Sequence, residues 1–123
     1  MSRSKNEYSI MKDLEVKTYN FAVQGIGLIK SLEKEFPELV NNDLKQSMGS
    51  VSINFIDALN AQENEDFAKN IKACYANTQK SAELLHSLGV IENKTLEEQR
   101  LLLINDSKNM IDKLDSIISK LIY

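Results

Sequence analysis

The sequence predicts an all-α fold, an antiparallel up-down-up-down four-helix bundle that forms a single domain over residues 1–123. Three observations predict it. The chain has one proline, four glycines and no tryptophan, so it is poor in the residues that turns and sheets require. Four stretches repeat apolar residues at steps of three and four, the spacing of one helical face. Short links separate them, and short links join antiparallel neighbours.

The first helix is predicted to start between Ser9 and Asp13 and to end near Glu35, just before the single proline. Its inward positions follow a seven-residue rhythm, as expected for helices that cross at a shallow angle. They are Met11, Leu14, Thr18, Phe21, Ala22, Gly25, Ile29, Leu32 and Phe36. Gly25 and Gly27 lie mid-helix, where each costs about 1 kcal/mol relative to alanine, so a close helix contact or a bend is expected there.

The second helix contains an uncharged stretch, residues 46 to 56, in a chain that is 27% charged. Because a helix that is uncharged all round is normally buried, we expect other protein to surround this central helix on most sides. Asn41, Asn42 or Asp43 can cap its start, and it ends near Asn60. The alternation of residues 50 to 55 also fits a strand, but no other stretch offers a partner strand, which favours a helix.

Four residues of this helix are candidate contact residues. Gly49 and Ser50 are small, so we expect neighbouring helices to pack closely against them, and Gly49→Leu should cost roughly 1 to 3 kcal/mol. Asn54 and Asp57 lie three residues apart and share a face. They could contact a ligand or a neighbouring subunit, but the favoured interpretation is that they bond to a nearby helix, because buried polar groups need partners. Either interpretation predicts that Asp57→Leu harms the protein.

The third helix follows a short link at residues 61 to 64. Asn64 is its predicted cap, with Glu65 and Asp66 at the positive end of the helix dipole. Gly89 can adopt the left-handed conformation that ends helices. The predicted inward residues are Phe67, Ile71, Cys74, Thr78, Ser81, Leu85 and Leu88.

The fourth helix is predicted to open with a capping box formed by Thr95 and Glu98. One apolar seam follows, and a second stripe beside it predicts contact with more than one neighbour. The seam is Leu103, Ser107, Met110, Leu114, Ile117 and Leu121, and the stripe is Ile104, Ile111 and Ile118.

No catalytic, metal or cofactor site is predicted. Glu83 and His86 have the spacing of di-iron ligands, but such a site needs a second copy, and His86 is the only histidine. Cys74 falls on the inward seam and is expected to be a small buried residue. Lys45 and the scattered lysines could contact phosphates, but interleaved acidic residues favour an ordinary solvated surface.

The net charge, the lengths of the apolar runs and the cysteine count limit the classes of partner and the compartment that the sequence predicts. A net charge of −3 and a pI near 5.2 argue against general nucleic-acid binding. No apolar run reaches the roughly 20 residues of a membrane span, and no secretory signal is visible. With a single cysteine, the protein is expected in the reducing cytoplasm.

The second helix resembles the signature of the four-helix-bundle proteins encoded in intervening sequences of bacterial 23S rRNA genes. Identical residues are Leu44, Ser50, Val51 and Asn54, and conservative replacements are Lys45 and Asp57. Shorter likenesses over nearly the whole chain include Phe36-Pro37 and Leu88-Gly89. The family's second arginine is Gln46 here.

The resemblance implies a non-enzymatic homopentamer with an RNA-linked or nucleoprotein scaffolding role. A related branch implies a first alternative, an accessory adaptor of a diversity-generating retroelement that binds a reverse transcriptase and nucleic acid. That branch is basic, whereas this chain is acidic. A second alternative is a module that binds only proteins.

Overall fold

Four α-helices make up the chain over residues 5–121, the part that this computed structural model describes, with side chains from residue 7 onward. They are α1 (Lys5–Glu35), α2 (Asn42–Leu59), α3 (Asn64–Ser87) and α4 (Lys94–Ile118), with one 3-10 turn at Pro37–Leu39 between α1 and α2. Residues 5–121 contain no strand, so the all-α prediction is confirmed and the second helix is a helix.

The helices form a closed ring of neighbours in which α1 contacts α2 and α4, and α3 contacts α2 and α4. Their directions follow from contacts near the ends. Lys113, late in α4, pairs with Asp13, early in α1, while Asn93 at the start of α4 donates to Glu35 at the end of α1, 3.2 Å away. The predicted antiparallel up-down-up-down order is confirmed.

The inward faces agree closely with the predicted seams. All predicted positions of the third helix from Phe67 to Leu85 are buried, and Leu88 is half-buried. The second stripe of α4 also packs against the core of the same bundle, since Ile104 is buried and Ile118 is partly buried against it. Contact of α4 with two neighbours is confirmed, and both neighbours belong to the same chain.

The start of α1 was predicted too late, because the helix already includes Lys5. Contacts with other elements support these extra turns. Ile10 packs against the core, and the Glu7 carboxylate lies 3.8 Å from the Lys120 ammonium just beyond α4.

The caps are partly as predicted. The Asn41 side chain caps α2, accepting hydrogen bonds from the backbone N–H groups of Asp43 at 2.8 Å and Leu44 at 3.3 Å. Asn64 is not a cap, because α3 begins one residue earlier than predicted and Asn64 is its first residue. Gly89 has a φ of 69°, which confirms the predicted left-handed position.

The predicted capping box of α4 is wrong. Asn93, two residues before Thr95, caps the helix by accepting from the Leu96 N–H at 3.0 Å. The start of α4 therefore lies before Thr95, and Glu98 is an exposed residue of its second turn.

The glycines correct one prediction about close contacts. A Cβ placed on Gly25 would lie 2.5 Å from the Met48 Sδ atom, so the expected close helix contact is between α1 and α2 at Gly25. A Cβ on Gly27 or Gly49 would meet nothing within 4 Å. Gly49 therefore does not support close packing within the bundle, because it lies on the side of α2 that faces away from α1 and α3.

Candidate interaction surface

The uncharged stretch of α2 is divided between the core and the surface. Met48, Val51 and Phe55 are fully buried, whereas Ile53 is 60% exposed and Ile56 is 49% exposed. The helices of this chain therefore cover α2 only in part, and the expectation that other protein surrounds it on most sides stays a prediction about contacts with another molecule. The bundle places α2 at a corner with two neighbours, and the side of α2 that carries Ile53 and Ile56 faces outward.

A second uncharged stretch, residues 18 to 29 of α1, lies beside this outward face. Val16, Tyr19 and Val23 are each at least half exposed and recur at steps of three and four on the outward side of α1. We define the α1/α2 surface as Val16, Tyr19, Val23, Ile53 and Ile56.

A shallow groove of about 360 Å³ runs through the α1/α2 surface. Val16, Tyr19 and Ile56 line it together with the buried side chains of Thr18 and Phe55. The five side chains of the surface expose roughly 400 to 500 Å² of apolar area, which is within the ordinary range for the largest patch on a monomer, and that patch is often functional. Its size therefore makes the α1/α2 surface a candidate interaction site.

Leucines form a second exposed apolar feature, on α4. Leu101 and Leu102, which we call the α4 leucine pair, are each about half exposed. Leu102 also lines a groove of about 350 Å³ between α1 and α4, beside Gly27 and Gln24.

The outward face of α3 is charged by contrast. Its exposed residues include Lys69, Lys80 and Glu83, without a large apolar side chain among the described residues of that face. Alternating charges of this kind are typical of a solvated helix surface.

Two lysines at the C-terminal end of the chain pair with α1. Lys113 donates to Asp13 and Lys120 lies near Glu7, so their acidic partners belong to the opposite end of the sequence. The hydrogen bond from Lys113, assisted by one from Lys17, lowers the pKa of Asp13 despite some burial. These contacts hold α1 and α4 together near the two chain ends.

The remaining predicted contact residues lie apart from one another. Asn54 accepts a hydrogen bond from the Asn77 Nδ2 atom of α3 at 2.8 Å, which is the kind of contact that the favoured interpretation expects. Asp57 and Lys45 are exposed on the outward side of α2, and Ser50 is half-buried. The structure therefore separates Asn54 from Asp57: the first serves the contact with α3, and the second faces outward.

The residues considered for metal or thiol chemistry also lie apart. Glu83 and His86 are exposed on α3, and residues 5–121 bring no three histidine, cysteine or acidic side chains into a metal-binding group. Cys74 is fully buried, and burial raises the pKa of its thiol to about 12. Its Sγ atom donates to the Val51 carbonyl at 3.4 Å.

The sequence analysis did not predict that an arginine is buried. Arg100 is 5% exposed, and its Nη1 donates to the Leu85 carbonyl near the end of α3 at 3.1 Å. Its Nε and Nη2 donate to Glu97 at 2.7 and 2.9 Å, and Glu97 accepts from the Ile91 N–H at 3.1 Å. These bonds fix the α3–α4 link. The hydrogen bonds from Arg100, then that from Ile91, lower the pKa of Glu97 to about 2.

Two sequence signals could have located these features. Arg100 is one of two arginines among 15 basic residues, and arginine is the residue suited to two-pronged contact with a carboxylate. The uncharged stretch of α1 contains both an inward and an outward apolar stripe, and only the inward stripe was recognised.

Comparison with known proteins shows a shared fold. A crystal structure of a Bacteroides thetaiotaomicron protein of unknown function from the S23 ribosomal protein family matches with a TM-score of 0.76 and 23% sequence identity. The match covers 90% of this chain and 99% of that one. No protein-family model and no curated protein matches the sequence. None of the helices within residues 5–121 is both long and apolar enough to cross a membrane.

Proposed function

We propose that this protein is a non-enzymatic module that assembles with copies of itself through the α1/α2 surface. The observation that carries the proposal is the outward position of Val16, Tyr19, Val23, Ile53 and Ile56 on two helices whose neighbouring stretches are uncharged. Keeping such a surface in water is unfavourable, and covering it gives about 25 cal/mol for each Å². Association of copies accomplishes this without a second gene product.

The proposed assembly is a homopentamer with an RNA-linked or nucleoprotein scaffolding role. The number of copies and the role come from the resemblance of α2 to the proteins encoded in 23S rRNA intervening sequences. The fold shared with an S23 ribosomal protein family member supports the same assignment.

The acidic charge favours a module that binds only proteins as the second candidate. The net charge is −3, and Lys113 and Lys120 pair with acidic side chains of α1. A retroelement adaptor would need a cluster of unpaired basic residues to neutralise phosphates. Lys45, the residue predicted to contact nucleic acid, is exposed, and the acidic residue Asp43 lies two positions before it in the sequence.

A structural role for the polar residues of the core supports the non-enzymatic assignment. Ser81 donates to Ser47 at 2.9 Å, Thr78 to the Cys74 carbonyl at 2.7 Å, and Ser107 to the Ile104 carbonyl at 2.6 Å. The core thus uses these hydroxyls to join helices and to satisfy backbone groups. Burial of the unpaired Cys74 thiol supports a reducing compartment, for which we propose the cytoplasm.

Light scattering on the purified chain at micromolar concentration tests self-assembly. We expect a mass several times the 14.0 kDa of one chain. Ile53→Glu should reduce it to that of one chain without loss of helical circular dichroism, because Ile53 is 60% exposed in the single chain. Lys80→Glu on α3 is the matched control and should assemble normally. A wild-type protein that stays at 14.0 kDa would contradict the proposal.

Binding to RNA separates the two candidate roles. A labelled RNA probe should shift with the protein at low salt, and the shift should weaken as salt rises if phosphates are contacted. Lys45→Gln should weaken it further if Lys45 takes part. Absence of any shift at low salt would remove the nucleic-acid role and leave the protein-binding module.

A further inference from the structure

We infer that in this assembly the α4 leucine pair of one copy docks on the α1/α2 surface of the next copy. The inference rests on the proposed self-assembly and adds which two surfaces meet. The exposed apolar side chains of residues 7–121 include two separate features, the α1/α2 surface and the α4 leucine pair. A two-fold contact would cover one feature with itself and leave the other in water, whereas a head-to-tail contact covers both.

Charges at the ends of the two features are complementary. Along α2, Lys45 precedes the uncharged stretch and Asp57 follows it. Along α4, Glu98 precedes the α4 leucine pair and Lys108 follows it. All four side chains are exposed, and none of them forms an ion pair with another residue of the described chain.

The spacing of these charges is also compatible. Lys45 and Asp57 are twelve residues apart, or about 18 Å along α2, and Glu98 and Lys108 are ten residues apart, or about 15 Å along α4. The second and fourth helices of an up-down-up-down bundle run in the same direction. Two copies placed side by side with parallel axes therefore bring Glu98 to Lys45 and Lys108 to Asp57.

The opposite orientation brings like charges together, Glu98 with Asp57 and Lys108 with Lys45. The charge pattern thus selects the parallel arrangement, in which repeated rotation about an axis along the bundle can close a ring. Lys94 and Asp112, the next exposed charges of α4, lie beyond the two ends of this span.

At the position of α2 that lies opposite Leu102 of the neighbouring copy, Gly49 leaves space for a side chain. It lies four residues after Lys45, as Leu102 lies four residues after Glu98. A Cβ on Gly49 would meet nothing within 4 Å, so the space above it is open to a leucine side chain of the neighbouring copy. Ile53 then lies opposite Asn105 and Leu102, next to the groove.

A charge exchange tests this contact. The first variant is Lys45→Glu with Asp57→Lys, and the second is Glu98→Lys with Lys108→Glu. Each should lose assembly in light scattering at a concentration at which the wild type is assembled, while its circular dichroism stays unchanged because all four residues are exposed. The chain carrying all four substitutions should regain the wild-type mass.

Mixing the two charge variants provides a second readout. Each variant keeps one wild-type face, so the wild-type α4 face of the first fits the wild-type α2 face of the second, and the two reversed faces fit each other. In the mixture the two variants should associate in alternation into species heavier than one chain, although each variant alone does not associate. Because strict alternation cannot close a ring with an odd number of copies, the mixture should form open oligomers and not the closed ring of the wild type. A two-fold contact through α1/α2 alone would not produce this rescue.

Two further variants test the same contact, one by removing apolar side chains and one by filling the open space at Gly49. Leu101→Asn with Leu102→Asn should lose assembly, and Gly49→Leu should do so while the chain stays folded. The inference is wrong if the α4 variants assemble like the wild type while Ile53→Glu does not, a result that leaves the proposed self-assembly intact. It is also wrong if the fourfold charge variant stays dissociated. A wild-type chain that never assembles would instead contradict the proposed function itself.

Discussion

The outward faces of α2 and α3 differ, although the two helices share one interior. Inside, small polar side chains join them through the Ser81–Ser47 and Asn77–Asn54 hydrogen bonds. Outside, α3 carries charges, whereas α2 is uncharged over residues 46 to 56 and exposes Ile53. The inward faces determine how the chain folds, and the outward face of α2 is where we propose that the chain meets other molecules.

The largest predicted effect is the difference in the free energy of unfolding between a substitution on the inward face of α2 and one on its outward face. Phe55→Ala removes a fully buried ring and should lower the free energy of unfolding by about 3 to 5 kcal/mol. Ile53→Ala, two residues away, should change it by less than about 0.5 kcal/mol in the single chain. Urea unfolding under dissociating conditions measures both. Equal losses would mean that Ile53 is part of the core and that the contrast between the faces is wrong.

A smaller difference in stability is predicted between substitutions at the inward glycine of α1, Gly25, and at its outward glycine, Gly27. Gly25→Ala forces the flexible end of the buried Met48 side chain to move, which should offset part or all of the roughly 1 kcal/mol that alanine gains over glycine in a helix. Gly27→Ala enters open space and removes a flexible residue from a helix, so it should stabilise the chain by about 0.5 to 1 kcal/mol. The melting temperature of Gly25→Ala should therefore lie below that of Gly27→Ala. Equal melting temperatures would show that α1 does not approach α2 at Gly25 as described.

The smallest effect concerns acid sensitivity at the α3–α4 link. Hydrogen bonds from Arg100 lower the pKa of Glu97 from an ordinary value of 4.5 to about 2. A lowered folded-state pKa contributes stability above the unfolded value, and the contribution disappears as pH falls toward 2. The melting temperature should therefore fall less steeply between pH 5 and pH 2 in Glu97→Gln than in the wild type.

Glu98→Gln is the control for this measurement, because Glu98 is exposed beside the link and outside these bonds. It should retain the acid dependence of the wild type. If Glu97→Gln retains it as well, the Arg100 contact does not hold Glu97 ionised.

The inward side of this molecule could be predicted from the sequence, because helical periodicity directly reports which residues one face of a helix buries. The four helices, the seams and the Gly89 end all follow from local spacing. The start of α1 and the caps of α3 and α4 were placed a few residues away from their observed positions, because local spacing does not choose between neighbouring cap residues and contacts distant in sequence add to it. The Glu7 to Lys120 pair and the Asn93 to Glu35 hydrogen bond are examples.

The candidate surface was predicted only in part. An uncharged helix indicates burial, but it does not say whether the covering protein belongs to the same chain. The structure supplies the missing fact, that α2 has only two neighbours in the bundle. The roles of Asp57 and Lys45 stay predictions, since both are exposed and their contacts depend on another molecule.

Thiol labelling tests most directly whether the outward face of α2 is covered in the assembled protein. Ile53→Cys and Lys80→Cys place single reporters on α2 and α3, and the native Cys74 is silent because it is fully buried. Both reporter positions are exposed in the single chain. We predict that a maleimide reacts rapidly with Lys80→Cys and much more slowly with Ile53→Cys at concentrations where the protein is assembled. Equal rates would contradict the account.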